Sequence, residues 1–156
     1  MSRDIINELG SLALATRLKN LSDRLAKDVA QYYKSSDVDF EPRWFTLIYA
    51  LKEGEELSIT QLATMLQQTH PAVNQVANVL VEKGLVSERK DDQDQRKRLI
   101  KLTDKGLRLV SELEPLWSSI KAANDQLLKD SEHLIESLAS VEQALDDKSM
   151  KDRLKD

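Results

Sequence analysis

At 156 residues, with four glycines, three prolines, 40% hydrophobic and 32% charged side chains, the chain has the make-up of one helix-rich domain with a real core. It contains no cysteine, which excludes disulfides, thiolate metal sites and thiol redox sensing, and no apolar run near the roughly 20 residues that span a bilayer. The formal net charge of −4 opposes attraction to a polyanion over the whole surface, but the charge is uneven: Lys83–Arg108 holds nine basic against five acidic residues, a local +4 that leaves −8 for the remainder.

The opening MSRDIINELG lacks the apolar core of a secretory signal, so a cytoplasmic protein is expected. From Arg3 to about Lys34, Leu9, Leu12, Ala13, Leu18, Leu21, Leu25 and Val29 recur at helical spacings, which predicts one long helix. Ser35, Ser36 and Pro42 then punctuate the chain before the apolar run WFTLIYAL, read as a short buried helix ended by Gly54.

LSITQLATMLQ carries a start signal. Ser58 followed three residues later by Gln61 is a capping box, in which each side chain satisfies a backbone N–H that the first helical turn leaves unpaired. Ile59, Leu62, Ala63 and Leu66 continue at helical spacing. A second helix follows within two or three residues: Thr69 can cap it, Pro71 fits its first turn, and Val73, Val76, Ala77 and Leu80 form its apolar face. Lys83 and Gly84 supply a basic last turn and a terminating glycine, and the short corner predicts a helix-turn-helix.

Beyond Gly84 the period becomes strand-like. LVSERK and RLIKLT flank the charged centre RKDDQDQRKRL, which fits a hairpin with a charged tip. Thr103 can then cap a long helix through about Asp130, and Leu134, Leu138, Val141 and Leu145 predict one more helix from Ser131 to Leu154.

Two helices joined by a tight corner and followed by a charged hairpin make the plan of a winged helix-turn-helix, whose second helix enters the DNA major groove. With the apolar face inward, Ala72, Asn74, Gln75 and Asn78 face outward, and His70 and Pro71 lie at the helix start. Asn and Gln can pair with the N6 and N7 of adenine, and alanine can pack on a thymine methyl; a merely solvated helix face would look similar in isolation. At the hairpin tip, Asp94 and Arg96 are two residues apart, so on an extended strand they point the same way and the carboxylate can brace the guanidinium. A braced arginine suits the negative minor groove, with Arg89, Lys97 and Arg98 available for phosphates.

The segment LSITQLATMLQQTHPAVNQVANVLVEKGLVSERKDDQDQRKRLIKLTDKG resembles the DNA-binding core of the MarR family of bacterial transcription regulators, through the Thr-His-Pro-Ala-Val helix start, LVEKGLV, the D-x-R of Asp94 and Arg96, and LTDKG. The resemblance implies a mainly α fold with a small β wing, with dimerisation helices in residues 1–34 and 115–156 flanking a DNA-binding region at 35–114. It implies a homodimeric repressor on a pseudopalindromic duplex site, with Arg96 as the wing arginine. It also implies release by small apolar or phenolic ligands, for which Arg17, Trp44, Phe45, Tyr49 and Trp117 are the candidate pocket; such aromatic residues serve equally as core or interface. No cofactor is expected.

Two features separate this chain from that pattern: Asp91 and Asp92 add negative charge beside the wing arginine, and the absence of cysteine excludes peroxide sensing through a thiol. Catalysis finds little support, since His70 and His133 are the only imidazoles and lie in different elements. A zinc site built from His133 with Glu132, Glu136 or an Asp lacks the further nitrogen or sulfur ligands a stable site commonly wants. The rival from another class is a dimeric protein-interaction module that keeps this fold without specific DNA binding.

Overall fold

A computed structural model describes residues 3–155. These pack as two units, one running to Glu114 and the other starting at Pro115.

In the first unit the expected long N-terminal helix is broken. Asp4 caps a short helix α1 (Ile5–Glu8) by accepting from the Asn7 N–H at 3.1 Å, and a 3₁₀ turn at Gly10–Ala13 precedes α2 (Leu14–Ser35). Gly10 sits at φ 55°, a left-handed conformation that a continuing α-helix does not admit. A second 3₁₀ turn, Pro42–Trp44, leads into α3 (Phe45–Ala50), and Gly54 at φ 84° turns the chain beyond it.

The helix-turn-helix follows as α4 (Ile59–Met65) and α5 (His70–Glu82). Both halves of the capping box form: Gln61 N–H donates to Ser58 Oγ at 3.1 Å, and Ser58 N–H donates to Gln61 Oε1 at 2.9 Å. The corner is longer than the spacing suggests, occupying residues 66–69, because Gln67 at φ 51° carries the chain through a left-handed turn before Thr69 restarts the helix. Strands β2 (Val86–Lys90) and β3 (Arg98–Leu102) form the hairpin, with Val86 opposite Leu102 and Lys90 opposite Arg98. A two-residue strand β1 (Leu57–Ser58), not anticipated from the sequence, pairs antiparallel with β3 to give the order β1-β3-β2.

The core joins these elements. Tyr33, Phe40 and Trp44 meet edge to face at centroid distances of 5.0 and 5.6 Å, and Leu47, Ile48, Leu51, Leu62, Val73, Ala77, Leu80, Ile100 and Leu113 are buried. Helix α6 (Asp104–Leu127) starts on Thr103, whose Oγ1 accepts from Gly106 N–H at 3.1 Å and donates to the Gly84 carbonyl at 2.6 Å.

In the second unit the predicted terminal helix is divided into α7 (Leu134–Asp147) and α8 (Met150–Arg153). Lys148 is extended, and Ser149 recaps the chain by accepting from the Asp152 N–H at 3.2 Å. Among the described residues, no helix is long and apolar enough to cross a membrane.

Candidate nucleic-acid interface

Helix α5 is held at both ends. Thr69 Oγ1 accepts from Ala72 N–H at 3.3 Å, with Pro71 in the first turn where its missing N–H costs nothing. At the other end Gly84, at φ 68°, donates to the Val81 carbonyl and Leu85 to the Leu80 carbonyl, both at 2.9 Å: the two bonds of a Schellman motif. Leu80 and Leu85 are both buried behind it.

Burial of Val73, Ala77 and Leu80 sets the rotation of this helix. His70, Pro71, Ala72, Gln75 and Asn78 are exposed on the opposite side, Val76 is half-buried, and Asn74 is half-buried at the edge nearest the hairpin. The outward polar group predicted from the apolar spacing is therefore present as a surface, with Asn74 at its margin.

The wing tip is folded by its carboxylates. Asp91 Oδ1 accepts from the Gln93 N–H at 2.7 Å and the Asp94 N–H at 3.1 Å, and these bonds hold its carboxyl below the ordinary range. The loop closes through Lys97 N–H to the Asp94 carbonyl at 2.9 Å and Asp91 N–H to the Lys97 carbonyl at 3.0 Å. Asp94 accepts from Arg96 Nε at 3.0 Å, Nη2 at 3.3 Å and the Arg96 backbone N–H at 3.1 Å. The guanidinium, first, and then that backbone donor lower the Asp94 carboxyl pKa. The tip is a turn, not a strand, so an Asx-type turn and not strand alternation brings the pair together. The Arg96 side chain stays 91% exposed.

The other arginines are committed within the chain. Arg89 makes a fork to Glu56, Nε to Oε2 at 3.0 Å and Nη2 to Oε1 at 2.6 Å, and Asp92 stands 3.6 Å from Arg89 Nη1. Arg98 Nε donates to Glu88, and Arg98 Nη1 donates to Asn74 Oδ1 at 3.2 Å. Of the three basic residues expected to meet phosphates, Arg89 and Arg98 each already pair with a carboxylate, whereas Lys97 presents an exposed side chain. Glu56 and Glu88 escape sequence reasoning because their partners lie 33 and 10 positions away, across the sheet.

Of the five pocket candidates, four lie in the first unit and Trp117 in the second. Trp44 is 1% exposed within the core, and its indole Nε1 is buried. Phe45 and Tyr49 form a tilted ring pair on α3 at 5.4 Å, with Lys52 Nζ 4.7 Å from the Tyr49 ring. Arg17 lines a shallow groove with Ile6, Leu14, Leu18 and Leu21, and Trp117 lies half-buried in the second unit. His133 Nδ1 lies 3.1 Å from Glu136, and among the described residues no three His, Cys, Asp or Glu side chains gather as a metal site would require.

Comparison with known proteins matches residues 38–97 to a model of the MarR family. The structure of the S. aureus MepR–DNA complex is similar at a TM-score of 0.70 and 21% identity, over 84% of this chain and 97% of that one. The transcriptional regulator BldR from Sulfolobus solfataricus is similar at 0.63 and 23% identity, over 93% and 99% of the two chains. Bordetella bronchiseptica BpsR, whose DNA binding is regulated by 6-hydroxynicotinic acid, is similar at 0.61 and 20% identity, over 82% and 98%. The segment that carries the helix-turn-helix and most of the wing thus matches the MarR family, and the chain has the fold of MarR-type winged-helix transcription regulators.

Proposed function

We propose that this protein is a sequence-specific, homodimeric DNA-binding repressor, released by a small apolar or phenolic ligand. The observation that carries the reading is the pairing of an exposed polar face on α5 with a wing whose tip is ordered around an outward arginine. The outward face of α5, at His70, Pro71, Ala72, Asn74, Gln75 and Asn78, would read base edges in the major groove, chiefly through its amino-terminal half. Arg96 would enter the adjacent minor groove, already oriented by Asp94, so that it loses less freedom on binding.

The DNA-bound state of MepR and the ligand-regulated DNA binding of BpsR support the partner classes. Two protomers would place their recognition helices about one turn of duplex apart, roughly 34–36 Å. Selection of bound sequences from a random duplex pool at low salt tests the reading. Enrichment of a pseudopalindrome is expected. A purified dimer that enriches no sequence would reject it and favour the interaction-module alternative, which the internal neutralisation of Arg89 and Arg98 otherwise supports.

A further inference from the structure

Asn74, on the α5 reading face, is tied to the wing by a side-chain bond: Arg98 Nη1 donates to its Oδ1 at 3.2 Å. A guanidinium carries donors and no acceptor, so the amide must turn its oxygen toward Arg98 and its NH₂ group away. Arg98 is itself steered, because Glu88 takes its Nε and the Arg98 side chain is only 24% exposed. Glu88, Arg98 and Asn74 therefore form a chain of charge-assisted bonds from β2 through β3 to the recognition helix.

We propose that Arg98 is a positioning residue that sets the base preference of Asn74, making it a donor to guanine. This deepens the proposed regulator function and rests on it. An asparagine pairs with adenine by using both amide atoms, the oxygen accepting from N6 and the nitrogen donating to N7. With its oxygen turned to Arg98, Asn74 presents the NH₂ group, and the N6 donor of adenine would confront a second donor. Guanine shows O6 and N7, two acceptors and no donor, on its major-groove edge. A side chain that asparagine chemistry alone assigns to adenine is thereby turned to guanine by its neighbour on the wing.

The test is pool selection with the full-length wild type, Asn74→Ala and Arg98→Lys. Lysine keeps the positive charge beside Glu88 but has no fork with which to hold both Glu88 and Asn74. The wild type should favour guanine at one position in each half-site, by roughly tenfold over adenine. Asn74→Ala should flatten that position alone, and Arg98→Lys should move it toward adenine while the other positions are kept. Replacing that guanine by 7-deazaguanine should weaken wild-type binding and leave Asn74→Ala unaffected.

If the wild type selects a sequence but Asn74→Ala leaves every position unchanged, or Arg98→Lys retains the guanine preference, this assignment is overturned and the regulator function stands. If the wild type selects no sequence, the regulator function fails and the assignment falls with it. Thermal midpoints of the three proteins separate a loss of fold from a change of preference.

Discussion

At the scale of single residues the charged tip divides into side chains that fold it and a side chain that projects from it. Asp91 spends its carboxylate on two backbone N–H groups, and Asp94 spends its own on Arg96. Arg96, 91% exposed, contributes little to the fold and is free to meet a partner. Arg96→Ala should leave the thermal midpoint unchanged and weaken duplex binding about tenfold, with a shallower dependence on salt. Unchanged affinity and salt slope would remove the wing contact from the proposal. Both carboxyls titrate below their ordinary value of 3.8, so their ordering of the tip is fully present above that value and is lost as pH falls through the lower folded value. The amide resonances of Gln93 and Asp94 should accordingly titrate with a midpoint below 3.8. A midpoint at or above it would mean that these bonds do not persist in solution. The D-x-R pair is visible in the sequence because two residues suffice to make it; the Glu56 and Glu88 partners are not, because strand pairing brings them in.

At the scale of elements, local chemistry was readable where a few consecutive residues decide the outcome. Ser58 with Gln61, Thr69 with Pro71, and Gly84 mark the ends of α4 and α5 as the structure has them. Strand β1 was not readable, since two residues carry no period and Leu57 is extended through pairing with Ile100, far along the chain. The break at Gly10 is hidden because leucine spacing continues across it while the backbone does not, and the one at Lys148 because no Pro or Gly marks it. Two substitutions test how these ends support the reading helix. Ser58→Ala removes the buried half of the capping box and should cost about 1 kcal/mol, read from denaturant unfolding. Gly106→Ala should cost more, about 1–3 kcal/mol, because a Cβ there would lie 2.1 Å from the Leu85 carbonyl oxygen. That oxygen accepts from the Thr103 N–H at 3.1 Å, so relief would disturb the junction between α5 and α6. A Gly106→Ala protein as stable as the parent would show that the contact is relieved without cost.

At the scale of the whole molecule the unresolved demand is apolar surface. On α2, Leu14, Leu18, Leu21 and Leu25 repeat at steps of four, three and four, and remain 52, 42, 42 and 38% exposed. That spacing is a helix-to-helix seam, and such a row left in water favours association with another helix. The second unit, taken by itself, also leaves Leu127, Ile135, Val141 and Leu145 exposed. The helical spacing of Leu18, Leu21 and Leu25, and of Val141 and Leu145, is legible in the sequence, but their exposure is not: periodicity identifies an apolar face without saying whether the same chain or a second copy covers it. The proposed homodimer would supply the cover, and the two half-sites proposed on DNA would call for the same homodimer. Full burial of an exposed leucine side chain stabilises by about 1.5–3 kcal/mol, and Leu18 and Leu21, each 42% exposed, leave somewhat under half of that to the seam, so Leu18→Glu with Leu21→Glu removes four such partial contributions per dimer and adds carboxylates there. Because each 1.4 kcal/mol is about tenfold in an equilibrium constant, dimer dissociation should rise by more than about a hundredfold. Sedimentation should then show monomers with native helix content, and affinity for a duplex bearing two half-sites should fall toward that for one. A double variant that stays dimeric at micromolar concentration and keeps its affinity would move the dimer interface away from α2.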